Sequence, residues 1–148
     1  MANQVNKAQT GMLDIGAASL PPTDVVPASN APANLKPIEI NLVIGEKRPF
    51  KRRRILLRSE IIIGRVDDET VLEQFYFDLT AYDAANKGVS RKHAVLRRHE
   101  FQVFVEDLNS TNGTRINGYQ IHPNQPYRLR NGDELEFGLV RVVVNFRE

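Results

Sequence analysis

Residues 127–146 read YRLRNGDELEFGLVRVVVNF, and this segment predicts an all-β fold. The runs YRLR, DELEF and VRVVVNF are short, rich in β-branched or aromatic residues, and almost contiguous. The Asn131-Gly132 pair between the first two runs is typical of a two-residue hairpin turn, because both residue types tolerate a positive φ. The stretch shows no sustained 3.6-residue period, so it predicts consecutive strands rather than a helix.

The same pattern extends upstream to Ile38, where apolar residues occupy every second position of the segment IEINLVI and predict a strand with one apolar face. Two further hairpin signals occur at Asn112-Gly113 and Asn117-Gly118. Further strands are predicted at 54–58, 60–63, 75–79, 93–97 and 101–105. Many short strands with tight turns predict an all-β sandwich, and the 111 residues after residue 37 are enough for one core.

One interval, 66–89, is too long for a plain hairpin loop and contains the predicted strand FYFDL. Its two flanks, 67–70 and 84–88, are rich in polar or small residues. We expect both flanks to be exposed loops at one end of the sandwich, which is a common place for recognition.

The first 37 residues differ in composition from the rest. They hold five of the eight prolines, only four charged residues and no aromatic residue. Such a segment buries too little apolar surface to offset the entropy lost on ordering. We therefore expect residues 1–37 to form a disordered N-terminal tail before a single domain at 38–148.

Charge and composition exclude several classes of protein. The 20 Lys and Arg nearly balance the 18 Asp and Glu, whereas nucleic-acid binders usually carry a larger basic excess. Cysteine is absent, which suits a reducing cytoplasm. The chain has no apolar run of about 18 residues and no signal-peptide core, so neither membrane insertion nor export is expected.

Enzymatic signatures are also missing. The three histidines lack metal-ligand spacing, and no phosphate-binding GxxxxGK[ST] loop occurs. Ser90 and His93 lie close together, but the sequence around them lacks the second glycine of a nucleophile elbow. We therefore expect no catalysis, no metal and no cofactor.

Polar residues of a particular kind stand at three predicted strand ends. Arg65 ends one strand, Ser90-Arg91-Lys92 opens another, and the segment 109–114, NSTNGT, follows a third. Guanidinium groups and hydroxyls are the donors that hold a doubly charged phosphate. An asparagine amide both donates and accepts, so it can hold an extended peptide backbone. If the three ends meet, they form a phosphate pocket beside a peptide-binding amide.

These segments together resemble a forkhead-associated (FHA) domain. The matching motifs are Gly64-Arg65, Ser90-Arg91-Lys92-His93 and Asn112-Gly113-Thr114, with Asn117-Gly118 beyond. The resemblance covers roughly Ile38 to Glu148 and implies a β-sandwich of about eleven strands that binds phosphothreonine in other proteins. The layout is similar to small bacterial members that carry a threonine-bearing tail and act in serine/threonine-kinase signalling.

The resemblance assigns a role to each matching residue. Arg65 would contact the phosphate, Ser90 would hydrogen-bond a phosphate oxygen, and Arg91 would add a second positive group. Thr111 would help to close the phosphate site, and Asn112 would bond the peptide main chain. The residues expected to support the site structurally are Gly64, His93, Gly113 and Asn117. Each could instead serve only a turn, a cap or the core.

Two further features leave alternatives open. The segment 47–54, KRPFKRRR, could bind nucleic acid or an acidic surface, or it could be a solvated edge strand. A scaffold or basic-patch protein on the same fold is therefore the alternative function. In the tail, Thr10 and Thr23 are possible phosphorylation sites that could dock into the chain's own pocket. The tail could equally be an inert leader.

Overall fold

The computed structural model describes residues 35–68 and 75–148. The predicted disordered tail at 1–37 lies outside the described residues except for its last three. The strands found are β1 Ile38–Ile44, β2 Lys51–Leu57, β3 Glu60–Gly64, β4 Tyr76–Asp78, β5 Ala94–His99, β6 Gln102–Asp107, β7 Thr114–Ile116, β8 Tyr119–Gln120, β9 Tyr127–Leu129, β10 Glu134–Phe137 and β11 Val140–Phe146. A 3₁₀ turn spans Thr80–Tyr82.

The strands form two sheets. One has six strands in the order β2-β1-β11-β10-β7-β8, and the other has five in the order β4-β3-β5-β6-β9. The strand pairs are antiparallel except for β3 and β4, which run parallel. The prediction of an all-β sandwich with about eleven strands is confirmed. In the described part of the chain, no helix is long and apolar enough to cross a membrane.

The core lies between the two sheets and follows the two-residue period of the strands. In β11, Val140, Val142, Val144 and Phe146 are buried and alternate with partly exposed residues. The neighbouring β1 presents Leu42 opposite Val144, so the inner face is apolar across both strands. Full burial of such a side chain stabilises the fold by about 1.5–3 kcal/mol. A shift of the strand by one residue would turn these side chains to the outer face, so this alternation is the main reason that the register is unique.

Two of the three hairpin predictions are wrong. Asn117-Gly118, with φ of 50° and 87°, does join the antiparallel β7 and β8. Asn131-Gly132 instead connects β9 to β10, and Asn112-Gly113 connects β6 to β7, and in both cases the two strands lie in different sheets. An Asn-Gly pair permits a tight reversal, but burial of each strand's apolar face decides which neighbour the strand pairs with. Gly132, for example, donates its N–H to the Val144 carbonyl of β11 (2.7 Å).

The long interval between β3 and β5 contains β4, as predicted, and residues 69–74 within it lie outside the described residues. The prediction that 84–88 forms an exposed loop is wrong at Ala84, which is fully buried in the hydrophobic core. The loop turns inward there because the Ala84 carbonyl accepts the N–H of Val89, itself a buried residue (2.9 Å). This inward turn ties the segment before β5 to the core.

Two phenylalanines test how far stability depends on this core. Phe137 is 1 % exposed and Phe101 is 70 % exposed. We expect Phe137→Ala to lower the free energy of unfolding by about 3–5 kcal/mol, because it leaves a cavity, and Phe101→Ala to change it by less than about 0.5 kcal/mol. Urea unfolding of both variants checks this. Equal losses would contradict the assignment of Phe137 to the core.

Candidate functional site

Three loops meet at one end of the sandwich: the segment after β3, the segment before β5, and the β6–β7 loop. Ser90 is their common contact. Its carbonyl accepts the N–H of Arg65 (3.2 Å), and its hydroxyl accepts the N–H of Thr111 (3.1 Å). The structure therefore brings together the three strand ends that carry the predicted site residues.

The approach of β3 to the segment before β5 requires a glycine. A Cβ on Gly64 would lie 1.9 Å from the Arg91 carbonyl oxygen and 2.8 Å from that of Ser90, both backbone atoms. Any side chain would push the two segments apart. Gly64 thus lets Arg65 leave β3 directly beside residues 89–91.

His93 is fully buried and joins two of the loops through its ring. Its Nδ1 accepts the N–H of Ser90 (2.9 Å), so the proton of the neutral ring lies on Nε2, which bonds to the Gly113 carbonyl (2.8 Å). The ring also packs edge-on against Phe137, with centroids 5.8 Å apart. The structure places His93 behind the loops, in the position expected for a supporting residue.

A second buried group, Asp107, organises the β6–β7 loop. Its carboxylate accepts the Ser110 N–H (3.0 Å) and the hydroxyls of Ser110 and Thr114. The Ser110 hydroxyl in turn accepts the N–H of Gly113 (3.0 Å). A buried carboxylate is tolerated only with such donors. Asp107 was not among the residues predicted from the sequence, although an aspartate three residues before a serine in a turn is a recognisable signal.

Two guanidinium groups converge on one carboxylate oxygen at the open side of the loops. Arg65 donates Nη1–H to Oδ2 of Asp67 (3.1 Å), and Arg91 donates Nε–H to the same oxygen (2.8 Å). The Arg65 group is also held from behind, because its Nε–H bonds to the Val89 carbonyl (2.7 Å). The sequence analysis placed both arginines at the site but missed Asp67, because nothing in the order of residues shows that it folds back between them.

Tyr76 of β4 links the backbones of the same two arginines. Its hydroxyl lies 3.0 Å from the Arg65 carbonyl oxygen and also contacts the Arg91 carbonyl oxygen. Burial, followed by the negative charge of Asp78, raises the pKa of Tyr76 to about 12. The phenol therefore stays protonated near neutral pH and acts as a hydrogen-bond donor. The sequence predicted a strand here but no site role for this tyrosine.

Asn112 is exposed at the edge of the loops, and its side-chain Nδ2 donates to the Gly88 carbonyl (2.9 Å). Gly88 has a φ of 76°, and a Cβ there would lie 2.4 Å from that Nδ2.

A fourth segment, the β10–β11 turn, completes this edge. Leu139 donates its N–H to the Lys87 carbonyl (2.8 Å), a contact that no sequence pattern indicated.

Two of the remaining predicted site residues lie in different places. Thr111 is exposed beside Ser90, in line with its expected position. Asn117 lies at the other end of β7, where it bonds to Asp133 (3.0 Å) and to the N–H of Glu134 (2.9 Å). It therefore stabilises the start of β10, away from the loops, and its expected support of the site is indirect at most.

The basic segment 47–54 falls on the β1–β2 turn and on β2, an edge strand of the six-stranded sheet. Residues 51–54 are all exposed. Arg54 pairs with Glu39 (3.0 Å), and the Arg53 guanidinium lies 5.8 Å from the ring centroid of Tyr82. This placement is that of a solvated edge strand, where positive charge discourages pairing with another sheet.

A family model described as FHA domain matches residues 61–138, which span the whole loop cluster from Gly64 to Asn112. The chain belongs to the FHA domain family. The resemblance inferred from the motifs is confirmed, and the chain is a binding module rather than an enzyme.

Small bacterial proteins are among the relatives of this FHA domain. The oxoglutarate dehydrogenase inhibitor of Corynebacterium jeikeium is 35 % identical over 103 residues, which cover 69 % of this chain and 62 % of that protein. The protein of the same name from Corynebacterium diphtheriae is 30 % identical over 129 residues, covering 86 % and 74 %. The match thus spans less than two thirds of the first relative.

Solved FHA domains have the same architecture. One, from a study of phosphothreonine-dependent FHA domain interactions, is 29 % identical with a TM-score of 0.53, covering 74 % of this chain and 98 % of that one. The FHA domain of FhaA, solved in complex with an intracellular protein domain, is 31 % identical with a TM-score of 0.51, covering 72 % and 99 %.

The buried His93 makes the stability of this FHA domain depend on pH. Burial lowers the pKa of His93 below its usual value near 6.5, against the opposing effects of the Gly113 carbonyl and Asp107. His93 therefore binds a proton more tightly in the unfolded chain than in the folded chain. The resulting stabilisation is complete above about pH 6.5 and is lost as the pH falls below it.

We expect the free energy of unfolding to fall as the pH drops below about 6.5, with a slope of up to about 1.4 kcal/mol per pH unit. The His93→Gln variant should lose this part of the slope. Urea unfolding at a series of pH values measures it, with the exposed His122→Gln as the control for the substitution itself. A slope unchanged in His93→Gln would contradict the neutral, bridging role of this ring.

Proposed function

We propose that this FHA domain binds phosphothreonine in partner proteins through Arg65, Ser90, Arg91, Thr111 and Asn112, as part of serine/threonine-kinase signalling in a bacterial cytoplasm. The observation that carries the proposal is the convergence of two guanidinium groups on a single acceptor oxygen beside a serine hydroxyl. The solved FHA domain that comes from a study of phosphothreonine-dependent interactions supports it.

The two arginines supply the charge that a phosphate needs. Since Arg65 and Arg91 already donate to one oxygen of Asp67, both groups reach a common anion position. A phosphothreonine carries a charge of about −1.5 to −2 and three acceptor oxygens. Each hydrogen bond to such a charged group contributes roughly 1.5–3 kcal/mol, so two arginine contacts alone discriminate strongly against an unmodified threonine.

Ser90 adds a directed neutral donor. Its oxygen accepts the N–H of Thr111, which orients the hydroxyl and leaves its own proton to donate to a phosphate oxygen. Thr111 is exposed next to this hydroxyl and forms the wall of the site on that side. The β6–β7 loop thus helps Ser90 to present its proton and stands beside the phosphate at the same time.

Asn112 is suited to hold the peptide main chain. Its Nδ2 is bound to the Gly88 carbonyl, which fixes the plane of the amide. The Oδ1 atom is then held in one direction, as an acceptor for a backbone N–H of an extended peptide. Gly64, His93 and Gly113 do not need to touch the ligand in this arrangement, because they act by placing the loops.

Loss of Arg65 should abolish phosphopeptide binding without unfolding the domain. We expect Arg65→Ala to weaken the binding of a degenerate phosphothreonine peptide pool by at least about tenfold, since it removes a charged hydrogen bond. Isothermal titration calorimetry measures this, with the unphosphorylated twin of the pool as reference. Thermal unfolding of the variant verifies that the fold persists.

The matched control is Arg52→Ala, which removes an exposed arginine from β2. It should leave phosphopeptide binding unchanged. The alternative function on the basic segment gives a different result: Arg52→Ala would weaken the binding of nucleic acid or an acidic surface. That binding would fall steeply as the salt concentration rises, and it would not depend on threonine phosphorylation. That pattern would contradict the proposal.

The chain's own tail is a second source of ligand. The described chain starts near Lys36, whose carbonyl accepts a hydrogen bond from the buried Arg98 (2.5 Å). Arg98 lies towards the end of β5, while the binding loops precede its start. The eight residues from Ser90 to Arg98 span at most about 26 Å at roughly 3.3 Å per residue, so the tail enters no farther than that from Ser90. Thr23 lies thirteen residues before Lys36, a length of chain that can reach up to about 45 Å. Both Thr23 and the more distant Thr10 are therefore within reach of the pocket.

A full chain made by semisynthesis with phosphothreonine at position 23 should bind an external phosphothreonine peptide at least about tenfold more weakly than the unmodified chain. The reason is that an attached ligand has an effective concentration near the millimolar range. The loss should not depend on protein concentration if the tail binds its own domain. A second chain phosphorylated at Thr10 tests the other candidate, and unchanged affinity in both would end this part of the proposal.

A further inference from the structure

The phosphate site proposed above already holds an anion from the same chain. Oδ2 of Asp67 accepts hydrogen bonds from Nη1 of Arg65 and Nε of Arg91, at 3.1 and 2.8 Å. A phosphate oxygen bound by the same two donors would occupy this position. The carboxylate therefore sits where the ligand is expected to bind.

Asp67 is not what holds Arg65 in place. The Arg65 guanidinium is anchored by the Val89 carbonyl through Nε, and its backbone N–H is bonded to the Ser90 carbonyl (3.2 Å). The Tyr76 hydroxyl contacts the backbone carbonyls of both arginines. These contacts hold Arg65 independently of Asp67, so the Asp67 carboxylate can move away without loosening Arg65.

The ion pairs that Asp67 makes are exchangeable. The side chains of Arg65, Asp67 and Arg91 are 29 %, 31 % and 46 % exposed, so water screens both pairs. A single carboxylate also carries less charge than a phosphate and has fewer acceptor atoms. A phosphothreonine can therefore replace Asp67 at the arginines, but it must first break the hydrogen bonds from Arg65 and Arg91.

We propose that the Asp67 carboxylate is an internal competitor for the phosphate site. It lowers the affinity of the site for every anionic ligand, and it thereby raises the concentration of phosphothreonine that is needed for binding. This inference rests on the proposed function. An acidic side chain of a partner protein would exchange one carboxylate for another and gain little, whereas a doubly charged phosphate gains both charge and hydrogen bonds. Asp67 thus suppresses the binding of unphosphorylated acidic segments.

The test is Asp67→Asn in the full chain, a change that removes the charge and keeps the shape and a hydrogen-bond acceptor. We expect about a three- to thirtyfold tighter binding of the phosphothreonine peptide pool and of inorganic phosphate, the range expected for losing two exposed ion pairs. Calorimetry measures the peptide pool. The NMR shifts of the arginine Nε–H groups measure phosphate at Arg65 and Arg91.

The matched control is Asp68→Asn, which removes the same charge from the adjacent, exposed position. It should change either affinity by less than about twofold. An equal gain in Asp68→Asn would show that only the general charge of the loop matters, and a weaker affinity in Asp67→Asn would show that Asp67 positions the arginines. Either result would overturn the inference.

The two probes separate this inference from the proposed function. Inorganic phosphate could bind the Asp67→Asn variant more tightly than the wild type while neither protein binds the peptide pool. In that case Asp67 does compete for the site, and the proposed phosphopeptide function is wrong. If the peptide pool binds both proteins equally, the function holds and the competitor does not. If neither ligand binds either protein at the arginines, both proposals fall.

Discussion

The imidazole of His93 holds the binding end of this protein together. It accepts a hydrogen bond from the backbone of Ser90 and bonds to the carbonyl of Gly113, so one buried ring sets the relative position of two loops that are far apart in sequence. Both contacts require the neutral ring with its proton on Nε2. The apolar surroundings, including Phe137, maintain that state by making a charged ring costly. The geometry of the polar loops therefore depends on the desolvation of a group that is buried behind them.

Charge at this end is distributed in two layers. Inside, the Asp107 carboxylate is buried and accepts hydrogen bonds from Ser110 of the β6–β7 loop and from Thr114 of β7, so its role is structural. Outside, Asp67 is partly exposed and paired with two arginines across the open site. The same residue type is thus structural where water is excluded and exchangeable where water has access, because screening weakens an exposed ion pair.

Membership of the FHA family explains the sandwich fold, and the particular residues of this chain explain the geometry of its loops. The sandwich fold is shared with solved FHA domains, which align to this chain with TM-scores of 0.53 and 0.51. The close approach at Gly64 and the contact of Asn112 with Gly88 show how this chain builds its loops on that frame. Where a Cβ would meet a backbone atom, as at Gly64, the loop geometry leaves no choice of residue. At exposed positions such as Thr111, packing does not dictate the side chain.

The fold class and the residues at the three strand ends were predictable without a structure, because alternation along a strand and the order of short motifs can be read directly from the chain. Arg65, Ser90, Arg91, Thr111 and Asn112 were all identified in this way and do lie at one end of the sandwich. The sequence could not determine which strands pair, as the turns at Asn112-Gly113 and Asn131-Gly132 show, since the same turn residues serve a hairpin or a crossing between sheets. It also could not reveal that Ala84 turns into the core, that Asp67 lies between two arginines, or that Tyr76 reaches both of their carbonyls. Those features depend on packing between segments distant in sequence, which no local pattern of residues indicates.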